Sequence, residues 1–596
     1  MANLKCHICE QGCVIAEGKT GVCGMYEQKH GRIEERFADQ YLVACPISIE
    51  TMPILHYFPG GKFLQISTTG CNFNCPGCIS TTIVREMPRD SRVFQTLTPE
   101  QIVEKTIQEG CMGIAFLMND PLASFPTFLR VAKLARSKGL QVGCSSNTYF
   151  TEKALTQITP YLNFINVGMK GFFDNAYYRC GASSGIAPVL RNIKALVSSG
   201  VHVEISAILM KDNADELTEL AMFIAQISPA IPFQVMRFIP FENADISQEP
   251  TVCEAEEFCT TLRKILPFVY LFNTPGTELL HTTCPECNLT VYRRNFYGPM
   301  GAKPYGDPPA SDNNGQCPQC RCDLNMIGTS SEFAFQEGDF EGGYPFTRAL
   351  EIVEAMLIAM GVRDKRKLAK AWESLLEKGG LKKLHHGIQT PRAYIETVRH
   401  FGKIADASES AEDLADFLEE KLAYINAGVS MATHLPRVYY TMAKPLFYIN
   451  YERLENQLVE TAGGISVNRS MDSVGRPGRN FTKERLVALN PDVIFISAFI
   501  SNSVTDFCEE CLQLDVQVNA VKNGQIYTPP SPGWDFGSPR WILGLMFMAN
   551  VLHPEIFNFN VMQEAKQFYR RFYHTDFSLP YVNRSFSKPD RKWQWA

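Results

Sequence analysis

The sequence predicts an α/β protein of several domains, on three observations. Between residues 62 and 240, strand-length apolar runs alternate with helix-length amphipathic stretches. Cysteines gather in short-spaced groups on both sides of that region. Near residue 345 the cysteine pattern stops and helical periodicity takes over. Strand–helix alternation implies a parallel sheet with right-handed crossovers.

The strands are expected at 63–67, 112–117, 140–144, 163–168, 201–206 and 232–238. The amphipathic stretches between them include Thr98–Gln108, Phe125–Ser137, Ala187–Ser198 and Ala214–Ala225. Pro99 directly after Thr98 is a cap-then-proline helix start.

Bulk numbers bound the rest. With 596 residues, two to four domains are expected. Hydrophobic content of 45 % and charged content of 20 % are ordinary for globular chains. A net charge of −6 gives no support for a nucleic-acid surface. The start, Met-Ala-Asn-Leu-Lys-Cys, has no charged region followed by an apolar one, so no signal peptide is expected. No apolar run reaches the length of a membrane span. Most of the twenty cysteines sit at C-x2-C-like spacings, which in a reducing cytosol favour metal sites over disulfides. A cytoplasmic location is therefore expected.

The first strand runs into Thr-Thr-Gly and then Cys71, Cys75 and Cys78, spaced C-x3-C-x2-C. Three thiolates on one loop suit a four-iron cluster and leave one iron without a protein ligand. That iron can hold a small molecule by its amine and carboxylate. A structural zinc loop with a borrowed fourth ligand is the alternative.

This spacing directly after a first strand resembles the radical SAM superfamily. The lead-in at 41–61, Gly70-Cys71-Asn72-Phe73-Asn74-Cys75 and the N-terminal cysteines resemble one branch of it, over roughly residues 1–330. That branch is the pyruvate formate-lyase activating enzyme-like proteins with a cysteine-rich N-terminus. The resemblance implies a partial (β/α)6 TIM-like barrel, a [4Fe-4S] cluster on Cys71, Cys75 and Cys78, and S-adenosylmethionine as co-substrate. In barrels the chemistry lies at the C-terminal strand ends. Asn119-Asp120-Pro121 stands where the family has Asn-Glu-Pro, beside the amino group of S-adenosylmethionine. Gly168-Met169-Lys170 stands where the family has Asp-Leu-Lys, which gives Lys170 the carboxylate. Asn147, Glu204 and Arg237 are the further cofactor-binding candidates.

The flanks carry more metal-type cysteines. Cys6, Cys9, Cys13 and Cys23 form a complete set for zinc or for a second iron–sulfur cluster. Cys284-Pro-Glu-Cys287 and Cys317-Pro-Gln-Cys320, with Cys322 just beyond, suit a zinc ribbon or a rubredoxin-like site.

From about 345 the order of elements resembles two-lobed α/β substrate-binding proteins for iron complexes, haem and cobalamin. The segments that carry it are Ala462-Gly-Gly and Asn490-Pro-Asp-Val-Ile. Candidates to face a cleft are His385, His386, His400, Tyr439, Tyr440, Arg476, Arg479, Trp534 and Arg540; Cys508 and Cys511 are two cysteines without a completing pair. The expected organisation is a Cys-rich segment at 1–60, the barrel at 61–280, the ribbon at 281–328, a linker at 329–344 and the two-lobed domain at 345–596.

The resemblance implies reductive cleavage of S-adenosylmethionine to a 5′-deoxyadenosyl radical that activates a glycyl-radical-type protein. Radical maturation of a metal cofactor or tetrapyrrole held by the C-terminal domain is the alternative within the enzyme class. A non-catalytic carrier of such a ligand is the alternative outside it. The implied partners are an electron donor of flavodoxin or ferredoxin type and a protein substrate, or a metal-complex or tetrapyrrole ligand; nucleic acid and membrane are not expected.

Overall fold

Eight strands form the main sheet of a computed structural model of the chain. They are β1 (Val43–Ser48), β2 (Lys62–Ser67), β3 (Gly113–Phe116), β4 (Gln141–Ser146), β5 (Phe164–Gly168), β6 (His202–Leu209), β7 (Phe233–Arg237) and β8 (Val269–Phe272). Their order across the sheet is their order in the chain. Every neighbouring pair from β2 to β8 is parallel, and β1 lies antiparallel beside β2. The structure describes residues 2–240, 245–306, 315–328, 333–335, 344–375, 377, 379–471, 477–500 and 503–577. Most of the linker expected at 329–344 lies outside them.

The chain divides into two units, the first covering most of residues 1–345 and the second most of 346–596. In the first, helices α1 (Pro99–Gln108), α2 (Phe125–Ser137), α3 (Ala187–Ser198) and α4 (Ala214–Ile227) connect successive strands. Thr98 closes a capping box with Gln101, so two orphan backbone donors of α1 are satisfied. Ile114, Phe116, Ile165, Val167 and Ile205 on the strands share one core with Val131, Ile193, Leu220 and Ile224 on the helices. All six expected strands are present. Strand β8 was not expected; Val269-Tyr-Leu-Phe is a short run hard against the next cysteine segment, where alternation gives no helix to frame it.

A buried polar cluster underlies the sheet's other side. Asn166 pairs in register with Glu204, and Ser206 with Gln234. Glu204 accepts from the backbone of Leu55 at 2.9 Å and His56 at 2.8 Å, from His202 Nε2 at 3.0 Å, and from Gln234 Nε2. His56 Nε2 lies 2.6 Å from the Tyr270 hydroxyl. Burial, outweighing Glu204 and helped by Arg294, pushes His56 down to about 4. Burial and the same arginine push His281 down to about 4.

A histidine held neutral in the fold but titrating normally when unfolded destabilises the fold as acid protonates the unfolded chain. Its stabilising effect is complete above the unfolded value near ~6.5 and is lost as pH falls towards the folded value. We expect the first unit to lose as much as about 3 kcal/mol per histidine between pH ~6.5 and ~4. Urea midpoints at several pH values check this, with His56→Gln flattening the slope. A wild-type midpoint level across that window refutes it.

The second unit differs from the expected two α/β lobes. Its described residues from 344 to 436 form helices, Tyr344–Ala359, Lys365–Leu375, Gly380–Gly387, Pro391–Ile404 and Ser408–Val429, and no strand. Leu368, Ala371, Trp372 and Leu375 repeat at helical spacing and are buried, as are Leu414 and Leu418. One sheet comes next, ordered β11-β10-β9-β12-β13, with β9 (Arg437–Thr441), β10 (Phe447–Ile449), β11 (Gly478–Asn480), β12 (Val493–Ile496) and β13 (Ile526–Tyr527). Ala462-Gly-Gly and Asn490-Pro-Asp-Val-Ile both belong to this sheet-bearing part, so their resemblance concerned one lobe only. Helix Trp541–Leu552 has an almost entirely apolar sequence and most of its residues are buried.

Candidate active site

Strand β2 ends in Thr68-Thr69-Gly70, and the shape of that turn is set by Asn119 after β3. Asn119 Oδ1 accepts from the Thr68 amide at 3.0 Å. Its Nδ2 donates to the Thr68 hydroxyl at 2.9 Å and to the Thr69 carbonyl at 3.1 Å. Gly70 is at φ +83°, and a Cβ there would meet Met25 Cγ at 2.6 Å, so glycine alone fits. Cys71 comes immediately after. Its sulfur takes the Phe73 amide at 3.4 Å and lies 3.9 Å from Asn147 Nδ2. Asn147 Nδ2 also donates to Asn72 Oδ1 at 2.7 Å.

Asp120 is buried beneath these groups. It accepts from the Asn147 amide at 2.7 Å, the Leu122 amide at 3.0 Å and the Ser146 hydroxyl at 3.2 Å. Burial pushes its carboxyl up against those donors. Asn119 and Asp120 thus build the site from behind: one fixes the turn before Cys71, the other the strand end that carries Asn147. Lys170, after β5, is exposed. Crowding by the chain works to lower its pKa, but the thiols of Cys75, Cys78, Cys71 and Cys180 outweigh it and hold it above the ordinary lysine value. Burial raises Cys71 and Cys78. Cys75 is instead brought down to about 6, first by a hydrogen bond from Cys180 and then by Lys170 and Arg85, against burial.

The donor set therefore fits a three-thiolate cluster. Three thiols, a cation and a buried acid meet at the C-terminal ends of β2 to β5. Among the sequence candidates the structure brings together Cys71, Cys75, Cys78, Asn119, Asp120, Asn147 and Lys170. Two candidates stand apart. The Glu204 carboxylate is saturated by Leu55, His56, His202 and Gln234, and it holds a loop rather than a cofactor. Arg237 is buried on Glu249 at 2.9 Å and on the Pro250 carbonyl at 2.8 Å. Three residues were missed. Asn72 and Cys180 touch the thiol loop, and Gln11 donates to the Asn72 carbonyl at 2.9 Å and the Gly181 carbonyl at 2.7 Å. Only their closeness in space marks them; none stands at ligand spacing.

The flanking cysteines behave differently from one another. Cys284, Cys287, Cys317 and Cys320 have all four sulfurs within 4.8 Å of one another. The Cys284–Cys320 and Cys287–Cys317 separations are 3.4 and 3.6 Å. A tetrahedral zinc with Zn–S near 2.3 Å sets an edge of about 3.8 Å, so a single ion fits. Each knuckle repeats one turn: Asn288 N to the Cys284 carbonyl, and Arg321 N to the Cys317 carbonyl, both at 3.0 Å. Cys6, Cys9, Cys13 and Cys23 lie on the N-terminal loops, and no three of their sulfurs fall within 4.8 Å among the described residues.

In the second unit the cleft candidates do not converge. Tyr439, Tyr440 and Trp534 are buried, and Tyr440 donates to Asp535 at 3.1 Å. Arg479 bonds the Tyr448 hydroxyl at 3.1 Å and Arg540 the Tyr569 hydroxyl at 3.1 Å. His385 sits 2.6 Å from Gln389, while His386 and His400 are exposed. Arg476 lies outside the described residues. Cys508 and Cys511 gain no third ligand among the described residues.

Residues 66–224 match the radical SAM superfamily. The chain carries a radical SAM domain. Its thiol loop, Asp120, Asn147 and Lys170 all fall inside the matched residues. An uncharacterized protein of Methanocaldococcus jannaschii is 28 % identical over 305 residues, half of this chain and 89 % of that protein. A periplasmic solute-binding protein of Veillonella parvula aligns at 25 % identity and a TM-score of 0.29, over 32 % of this chain and 59 % of that one. The haem complex of IsdE from S. aureus aligns at 19 % identity and a TM-score of 0.25, over 28 % of this chain and 66 % of that one. The chain thus spans 59 % of the length of the Veillonella structure, and at these scores neither likeness carries an argument. No helix among the described residues is long and apolar enough to cross a membrane.

Proposed function

We propose that the chain is a radical SAM enzyme that activates a glycyl-radical-type protein, working from an open (β/α) half-barrel. The observation that carries this is the meeting of Cys71, Cys75, Cys78, Lys170 and the Asp120–Asn147 pair at the strand ends of the radical SAM domain. When bound, a reduced [4Fe-4S] cluster supplies the electron that cleaves S-adenosylmethionine and frees the 5′-deoxyadenosyl radical. The chain's own residues prepare that chemistry. The three cysteines supply thiolates, and Asn147 and the Phe73 amide direct hydrogen bonds at the Cys71 sulfur. Lys170 would offer its ammonium to the carboxylate of bound S-adenosylmethionine, while Asn119 and Asp120 hold the turn and the strand end from behind. The absence of disulfides among the described cysteines supports a reducing, cytoplasmic setting.

A protein substrate is supported by the apolar rim of the strand ends. Ile208, four residues after Glu204 and two after Ser206, lies on the same face of β6, yet is 50 % exposed. Phe173 and Tyr178, in the segment after β5, are 43 % and 55 % exposed. Such a rim suits an inserted peptide loop. A tetrapyrrole handed over from the second unit finds less support, since its described residues carry one sheet and no second α/β lobe to close a cleft.

Anaerobic, reconstituted protein with dithionite should release 5′-deoxyadenosine and methionine, and none would appear if the reading is wrong. Lys170→Met should raise the dissociation constant for S-adenosylmethionine by about 10- to 100-fold, the value of one charged hydrogen bond. Equilibrium dialysis measures it, and unchanged binding removes Lys170 from the site.

A further inference from the structure

We infer that Cys6, Cys9, Cys13 and Cys23 hold a second iron–sulfur cluster of the four-iron class, and that this centre is the port at which a small acidic one-electron carrier protein reduces the chain. The thiols lie close in the fold: the Cys6 amide donates to the Cys13 carbonyl at 2.8 Å, and Cys6, Cys13 and Cys23 pack in one small cluster. Their sulfurs nonetheless do not gather as the ribbon's do. Among the described residues no three lie within 4.8 Å, while all four ribbon sulfurs do. One zinc would draw them to edges of about 3.8 Å. A four-iron cluster gives each cysteine its own iron and so spaces the sulfurs around a larger body. Cys71, Cys75 and Cys78 show the same wide spacing. The chain therefore has one cysteine site drawn together to single-ion size and two that are more widely spaced.

The N-terminal set is also fastened beside the other cluster site. Cys9 bridges to Phe150, the Glu10 amide donates to the Tyr149 carbonyl at 3.0 Å, and the Thr151 amide to the Ile8 carbonyl at 3.2 Å. Gln11 ties it to the carbonyls of Asn72 and Gly181, the neighbours of Cys71 and Cys180. The set also reaches solvent. Val14 and Val22, each next to a ligand cysteine, are 67 % and 75 % exposed. Lys5 and Lys19 are exposed as well. Exposed apolar residues and lysines close to the cysteines in the chain suit the weak, charge-steered encounters of redox proteins. With four cysteines this centre has no open iron, so its part is electron exchange. The carrier loses one electron and the centre gains one; no bond forms or breaks.

The site stands independently of the proposed activity; the port rests on it. The test uses full-length Cys71→Ala/Cys75→Ala/Cys78→Ala protein, purified anaerobically, with iron, acid-labile sulfide and zinc counted per chain. About four irons and about four sulfides should remain, the content of one such cluster, together with the ribbon zinc. Adding Cys13→Ser and Cys23→Ser should remove that iron and leave the zinc, which shows the fold persists. A triple variant holding two zinc ions and no iron overturns the second cluster. A triple variant with as much iron as wild type overturns instead the assignment of Cys71, Cys75 and Cys78. For the port, Val14→Glu/Val22→Glu should slow bleaching by a reduced flavodoxin about 10-fold or more at low salt, with the dithionite rate unchanged. Equal rates with the carrier overturn the port.

Discussion

Replacing Cys71, Cys75 and Cys78 together by alanine is expected to lower 5′-deoxyadenosine formation by more than about 10³-fold, the scale lost when groups bearing the chemistry are removed. The reason is local. The loop supplies every thiol that the turn after β2 presents, and its shape is set by groups the substitution leaves alone. Asn119 still holds Thr68 and Thr69, and Gly70 still packs on Met25. The three side chains are half-buried, and Cys71 and Cys75 only border the core, so alanine removes a sulfur at its edge rather than from its centre. Far-ultraviolet circular dichroism should therefore stay unchanged while the product disappears. Broad absorbance near ~400 nm, typical of thiolate-bound iron, should fall but not vanish, because the N-terminal centre remains. Retained cleavage in this variant would sink the assignment of the loop.

Much of the first unit was legible because two periodicities never conflict there. Apolar strand runs and amphipathic helices alternate, so each strand is framed by the helix after it, and the six expected strands appear within a few residues of their predicted limits. The metal-type cysteines were legible because ligand spacing is itself local. The residues that were misread are those whose role depends on the far side of the sheet. Glu204 sits in a strand whose register points it at Leu55 and His56, and spacing along the chain cannot show that. Asn119 and Asp120 were placed at the right strand end, but the structure spends their polar atoms on shaping the turn and on Asn147. Gln11 and Cys180 gave no signal, since they reach the thiol loop from 61 and about a hundred residues away. In the second unit, fold-bearing segments such as Ala462-Gly-Gly were legible in one sheet, and the helical stretch before it was mistaken for a first lobe. Its apolar residues recur at helical spacing, which was the correct signal to use.

Removing the ribbon's metal should produce the largest loss of stability in the first unit. Structural zinc sites in isolated fingers supply about 10–16 kcal/mol of folding free energy at neutral pH, and this ribbon has little else to hold it. Its strands are two or three residues long: Thr282–Thr283 on Thr290–Tyr292, and Arg294–Phe296 on Ala302–Pro304. Yet it packs on the sheet. Leu280, Val291, Leu324 and Met326 share a cluster with Met236, Phe268, Tyr270 and Phe272. Arg294, fully buried, reaches from this hairpin to Glu50 at 2.8 Å and to the Leu55 carbonyl at 3.0 Å. Leu55 is the residue whose amide Glu204 holds. Loss of the ion should therefore free the ribbon, uncover one face of β8, and leave Glu50 as an unpaired buried acid, itself a cost of about 3–5 kcal/mol. We expect Cys284→Ser/Cys317→Ser protein to lose one zinc per chain and to unfold at least about 10 °C lower. Amides of 284–326 and of 50–56 should exchange together in hydrogen-exchange measurements, because Arg294 couples them. Zinc loss with an unchanged melting temperature, or exchange confined to 284–326, would show that the ribbon is an independent appendage and that the Arg294–Glu50 pair does not depend on it.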